Sequence, residues 1–482
     1  MLGEDILYLP IRELASRIHA KKLSPVELTE SYLDRSEKFG PKFNAYVTLT
    51  RDRAMEHARA AEKEIAAGHY RDSLHGIPYA AKDLLAVKGY PTTWGAKPFE
   101  NQSFDYDATI IQRLDRAGAI LIGKAAMIEL AGGLGYSGAN ASLTGPARNP
   151  WNTDDWTCGS SSGSGAIMAA GLAGFALGSD TRGSIICPTT WCGLSGMRPS
   201  FGRVPRTGVM AIAWSMDKIG PMARTADCCG IVLGAMAGHD PADHDSLPDT
   251  LSAFSYSHAT NSSRPLRIGR VKNAAGDSNP ELNAAVDAAL KIMEQHGAKI
   301  SEAEVPDGPY EEAAELIILM EATGAFWDLI ESGRCSELED PLGKINGYAS
   351  MEISAWDYLH VQRVRTYLQK NVDALFDRFD VLAAPGEGTA ARPIQPPQPP
   401  AGGRGPGGAG RGNRPPDTSK QLDGISSLCG LPAISVPCGF TKDKLPIGIQ
   451  FVGRALDDAK VLAAANLFQS HTDWHTKHPV IS

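Results

Sequence analysis

The chain has 482 residues, 43% apolar and 21% charged, long enough for one large core or two ordinary ones. Against 55 acidic residues stand 47 basic ones, and a formal net charge of −8 argues against nucleic acid or an anionic membrane as the main partner. No apolar run approaches the roughly eighteen residues of a membrane span, and the opening MLGEDILYLP is acidic where a secretory leader is basic.

Residues 5–70 read as amphipathic helices. In LSPVELTESYLDRSEKF, Ser24 is placed to cap a helix that Pro25 opens, and a second, charged helix runs from about Asp52 to Ala66. From about 71 to 235 short apolar runs alternate with glycine turns and alanine-rich stretches. Residues 109–118 read as helix and 119–123 as strand, which is the α/β pattern. Beyond it, 283–297 is a helix and AKISEAEV a strand; 308–332 and 353–378 are helical. FDVLAAP, LPAISVPCGF and LPIGIQFVG are buried strands, and 456–469 is a last helix. Residues 391–416, rich in proline, glycine and arginine, cannot build a core and read as either a disordered insertion or a mobile surface loop.

Eight cysteines, at 158, 187, 192, 228, 229, 335, 429 and 438, form no C-x-x-C pair. They are expected as reduced, buried thiols of a cytoplasmic protein. Two histidine-bearing stretches invite a metal reading. GHDPADHD (238–245) has the composition of a solvated loop, and HTDWH (471–475) has helical histidine spacing but lacks the glutamate of H-E-x-x-H; both are expected to be structural or surface features.

The chemistry concentrates around two serine-bearing segments. TCGSSSGSG (157–165) has linker composition but opens directly onto the apolar run Ala166–Leu177, and its GSSSG matches G-x-S-x-G only formally. In GFALGSDTRGSIICP a short strand, Phe175–Leu177, ends in Gly178, and a polar turn delivers Ser184. The amides of Thr181, Arg182, Gly183 and Ser184 are candidates to converge on a developing oxyanion. A serine needs a base. No histidine lies nearby; Lys82, amid apolar residues in GIPYAAKDLLAVKG, serves if burial leaves its amine neutral near pH 7. The structural alternatives are a plain Gly-Ser turn and a lysine paired with Asp83.

These segments together resemble the amidase signature family. The resemblance rests on GIPYAAKD (76–83), GPARNPW (145–151), CGSSSGSG through GSDTRGSIICP to WCGLSGMRPS, DKIGPMARTADC (217–228), GLPAISVPCGF (430–440) and LPIGIQFVGR (445–454). It spans residues 8–480 and implies a single domain with a large mixed, twisted sheet covered by helices on both faces. It further implies Ser184 as nucleophile, Ser160 as relay after a cis Gly159–Ser160 bond, and Lys82 as terminal base, with the 181–184 amides as oxyanion hole. Ser161 to Ser164 then fall to helix-start and supporting roles. Tyr136, Ser137 and Asn140 fall in a segment resembling a pocket wall, with Cys158 beside them.

The activity so implied is hydrolysis of small-molecule amides or anilides, extending to esters or carbamates, by a cytoplasmic amidase. It needs no metal or organic cofactor and allows a homodimer. Two positions depart from the family pattern: Arg182 replaces the first glycine of Gly-Gly-Ser, and Cys158, read as packing, replaces the first of Gly-Gly-Ser-Ser. The alternative is the amidase subunit of a glutamine-dependent tRNA amidotransferase. Such members usually carry Gly-Lys-Thr-Asn where this chain has GKAAMIEL (123–130). A binding protein that has lost catalysis is the non-enzymatic alternative, weakened because Lys82, Ser160 and Ser184 are all retained.

Overall fold

Apolar runs bounded by glycine and proline become strands here, and they assemble into one broad sheet. The computed structural model describes residues 2–256, 264–272, 279–395 and 422–481. In chain order the strands are β1 (Tyr46–Leu49), β2 (Pro78–Lys82), β3 (Ile120–Ala125), β4 (Arg148–Asn149), β5 (Asn152–Trp156), β6 (Phe175–Asp180) and β7 (Ser195–Arg198). They continue with β8 (Lys218–Ala223), β9 (Arg267–Val271), β10 (Lys299–Ala303), β11 (Val381–Pro385), β12 (Ala433–Phe440) and β13 (Pro446–Gly453). β4 and β5 pair by themselves; the rest form an 11-stranded sheet in the order β1-β3-β2-β6-β8-β7-β12-β13-β11-β9-β10. β2 runs parallel to β3 and β6, and β9 parallel to β10 and β11, while the other neighbours are antiparallel. The mixed sheet is the one expected.

Both faces of the sheet are covered, because successive side chains point to opposite sides. Val381 and Ala383 belong to one core cluster and Leu382 and Ala384 to another; Ile449 and Phe451 divide from Val452 in the same way. The first cluster takes in the helices Pro280–Gln295 and Asp458–Gln469 through Val286, Leu290, Val461 and Phe468. Two short helices, α1 (Ser162–Ala169) and α2 (Ile186–Cys192), follow the two serine segments. The second cluster is built from α3 (Tyr310–Ala325), α4 (Ala355–Asp373) and α5 (Leu422–Leu428), which contribute Ile317, Leu368 and Ile425.

At the N-terminus Ser24 Oγ accepts from Glu27 N at 3.1 Å at the head of the helix Pro25–Phe43, and Arg51–Ala66 follows. Between them the sequence hides β1: four half-buried residues carry no alternation, and pairing with the edge of β3 makes them a strand. β6 outlasts its expected end at Gly178, because Gly178 to Asp180 pair with Gly220 to Lys218 of β8. The tract 471–475 is not α-helical, and Trp474 and His475 belong to a single 3₁₀ turn, Trp474–Thr476. The last helix stops at Gln469, and His471 stacks on His296 with centroids 3.4 Å apart. Among the described residues no group of three or more His, Cys, Asp or Glu could hold a metal, and no helix is long and apolar enough to cross a membrane.

The cysteine expectation is corrected at one pair. Cys158 and Cys187 form a disulfide, with Cα atoms 5.9 Å apart, and the other six are free and buried. Spacing gave no sign of it, since 29 residues separate the partners and only the return of the chain through β6 brings them together. Uniformly reduced thiols therefore no longer support a cytoplasmic setting. Of the Pro/Gly/Arg segment, 396–416 lies outside the described residues. Its lead-in is fixed to β5, where Ile394 N donates to Asp154 O and Trp156 N to Arg392 O, both at 2.9 Å.

Candidate active site

Lys82 ends β2, a strand buried along its whole length between β3 and β6. Its side chain is fully buried, and its Nζ donates to Ser160 Oγ at 2.7 Å and to Ser179 Oγ at 2.8 Å. Burial lowers its pKa to about 7, against the opposing fields of Asp180 and Asp217. Asp83 is not its partner: that carboxylate pairs with Lys124 at 2.8 Å and accepts from Thr93 N at 2.9 Å.

The serine tract is ordered by close packing. The Gly159–Ser160 peptide is cis, and Ser160 is fully buried. Gly163 must be glycine, because a Cβ there would meet Ala126 N and Ala45 O at 2.4 Å. Ser161 Oγ donates to Ser179 O at 3.2 Å and Ser164 Oγ to Leu177 O at 2.8 Å, so both brace the tract against β6.

Ser184 sits in the turn between β6 and α2 and is half-buried. Its carbonyl accepts from Ser161 N at 3.3 Å, while its Oγ makes no hydrogen bond, to Ser160 or to any other described residue. The turn is shaped from within by Asp180, whose two oxygens accept from Gly183 N and Ile185 N, each at 2.8 Å. The four-amide oxyanion expectation is thereby narrowed, since the Gly183 amide is already committed. The amides of Thr181, Arg182 and Ser184 remain without a partner among the described residues. Gly183 takes φ 87°, and a Cβ on it would stand 2.2 Å from Asp423 Oδ2.

A buried polar network supports this turn. Thr181 Oγ1 donates to Asp217 at 2.6 Å, and Arg198 joins Asp180 at 3.3 Å, Asp423 at 2.5 Å and Ser427 at 2.6 Å. Burial pushes Asp180 up, but Arg198, Lys218 and the two amides outweigh it and hold the carboxyl below its ordinary value. Asp423, pushed by burial and relieved in part by Arg198, is raised to about 6. Arg182 turns away from the amides to pair with Glu311 at 2.7 Å and Glu315 at 3.2 Å, both on α3. None of Ser179, Asp180, Arg198, Glu311 or Asp423 is marked by local sequence as a site residue. Asp180, four residues before Ser184 in a turn rich in free amides, carried the one usable signal.

The residues expected to wall the pocket fare differently. Tyr136 lies within the electrostatic reach of Arg182 and Glu387, edge-on to Trp156, and burial raises its phenol to about 12. Ser137 instead pins a loop, its N and Oγ both donating to Asp340 at 2.7 Å. Asn140 Nδ2 donates to Gln395 O at 2.9 Å, and Cys158 is taken up in the disulfide. A small open cleft lies beside the 181–184 turn, lined by Pro385 to Gly388, Leu422, Asp423 and Gln450. Gln450 is fully buried there, and neither its Oε1 nor its Nε2 has a partner among the described residues.

A buried amine of lowered basicity is hydrogen-bonded to one serine and lies close in the fold to a second beside free amides, an arrangement compatible with C–N bond hydrolysis. The chain belongs to the amidase signature family: residues 27–462 match the family model described as Amidase, and the protein is an amidase. One of the subunits of the glutamyl-tRNA(Gln) amidotransferase of Acinetobacter baumannii (strain AB0057) is 35% identical over 508 residues, covering 99% of both chains. Among solved structures, the native peptide amidase from Stenotrophomonas maltophilia superimposes with a TM-score of 0.81 at 27% identity over 96% of each chain. A chain from a vestigial protein complex tied to the origins of an s-triazine catabolic enzyme superimposes with a TM-score of 0.83 at 29% identity, over 96% of this chain and 98% of that one.

Proposed function

We propose that the chain hydrolyses the carboxamide of a small molecule through an acyl-enzyme on Ser184, with Ser160 as proton relay and Lys82 as base. Ser184 Oγ attacks the carbonyl carbon while its proton passes to Ser160 Oγ and that of Ser160 passes to the neutral Lys82 amine. The amides of Thr181, Arg182 and Ser184 receive the negative oxygen. As the C–N bond breaks, the proton returns by the same route to the leaving nitrogen. Water then attacks the ester, releasing the acid and restoring Ser184. The observation that carries this reading is the 2.7 Å contact between Ser160 and a fully buried amine lowered to about 7. The Ser160–Ser184 contact, unmade here, closes when substrate orients the free hydroxyl. A fluorophosphonate probe should form one adduct, on Ser184; intact folded protein that takes no label overturns the reading.

A second reading shares this chemistry but takes the side-chain amide of glutamine, with the chain as the amidase subunit of a tRNA amidotransferase. The 35% identity to such subunits over nearly the whole chain favours it, and exceeds the 27–29% shared with the solved amidases named above. The outer face of α4 supports a partner subunit. Trp356, Leu359 and Tyr367 are 78%, 59% and 65% exposed, while Val361, Leu368 and Val372 fill the core from its inner face. The isolated chain is to be assayed on aryl amides, amino-acid amides and glutamine. Turnover of small amides by the chain alone supports the first reading; glutamine hydrolysis that appears only with a partner subunit supports the second.

A further inference from the structure

Arg224 lies on the far side of α1 and α2 from the serines. It follows β8, is 7% exposed, and its Nε and Nη2 are buried with no acceptor. Among the described residues its guanidinium makes no hydrogen bond and no ion pair. Burial pulls its pKa down, and the groups that act on it most strongly are Tyr32, Tyr8, Cys228 and Arg35. Arg35 already holds Glu4 at 2.7 Å. The carbonyls closing the two helices do not serve Arg224 either, since Ala169 O accepts from Tyr8 and Cys192 O from Trp151. A buried guanidinium left this way is destabilising unless an anion neutralises it.

A small cavity with an open mouth meets this side chain. Its rim carries His475, Lys477 and His478. His475 Nδ1 is buried without a partner among the described residues, His478 stacks on Tyr8 at 3.8 Å, and Tyr8 in turn lies under Arg224, whose Cζ is 4.3 Å from the ring centroid. Lys477 itself pairs with Asp473 at 2.5 Å. The vacant edge of Arg224 is the edge with which Arg12 grips Asp227, through Nε at 2.8 Å and Nη2 at 2.7 Å. That fork matches two oxygens of one planar or tetrahedral oxyanion.

We propose that this cavity is a binding site for a small oxyanion, a phosphate or carboxylate group seated on Arg224, and that its occupation ties the 474–481 tail to the C-terminal ends of α1 and α2. The site lies outside the catalytic machinery and stands whichever amide is hydrolysed. The experiment follows thermal unfolding of the full chain in inorganic phosphate, in acetate and in sodium chloride of matched ionic strength. Phosphate or acetate should raise the midpoint saturably beyond chloride, and the more effective of the two identifies the group. Arg224→Met should weaken that response about thirtyfold or more, as removal of a buried charge partner does. Lys477→Gln, at an exposed position, should raise the half-saturating concentration about threefold. Oxyanion responses no larger than that of chloride overturn the proposal, as does a response unchanged in Arg224→Met. If Arg224→Met does not fold, an unchanged half-saturation in Lys477→Gln does so.

Discussion

Lys82 shows how burial creates reactivity in a side chain that is inert at the surface. Its amine gives up water for two serine hydroxyls, and the lost solvation brings it to about 7. If the neutral amine is the base, kcat/KM should climb nearly tenfold per pH unit below 7 and level off above it. A profile flat from pH 5 to 9, with chemistry rate-limiting, counts against the assignment. Ser184→Ala should lower kcat by about 10³-fold or more with the fold retained, and Lys82→Ala nearly as far. Ser160→Ala should leave a weak residual rate. Single-turnover kinetics on an anilide separate these effects from changes in binding. The three residues were legible in sequence only through their combined spacing with the family pattern. The network behind them was not, because Arg198 and Asp423 stand 225 positions apart and meet only through the sheet.

At the level of elements, the turn from β6 into α2 is the part most tightly specified. Asp180 supplies both anchors, Gly183 the backbone freedom, and Asp423 of α5 closes the space behind it. Gly183→Ala should cost most of the activity, since the new methyl group meets a carboxylate held by Arg198; the control is an unchanged circular-dichroism spectrum. Arg182 was readable as a departure from the family pattern, but its direction was not. The structure sends it to Glu311 and Glu315 of α3. Arg182→Gly removes that tie and should raise KM with kcat changed less, a split that steady-state assays on several amides resolve. The helices at 109–118 and 283–297 were legible from their helical period, and the strand FDVLAAP from its uninterrupted apolar run. β1 was not, for its four residues owe their conformation to β3.

For the molecule as a whole, the sheet order could not be read from sequence. Neighbours such as β2 and β6, or β7 and β12, are brought together by returns that local residues do not encode, and the Cys158–Cys187 pair is one product of that arrangement. The pair has a direct chemical readout. Unfolded without reductant, the chain should show six reactive thiols, and eight after reduction; eight in both cases would falsify the bridge. Closing a loop of this size adds about 3 kcal/mol of stability, so a reductant should lower the unfolding midpoint as well.

The carboxylate at position 180 also decides how the enzyme fails in acid. Because its folded-state pKa lies below the ordinary value, its contribution to stability is intact above about pH 4 and is lost only on further acidification. The amine at position 82 takes up its proton near pH 7, well before that point. If that amine is the base, mild acidity should silence turnover while the scaffold stands, and returning the buffer to neutrality should restore full turnover at once, with no refolding lag.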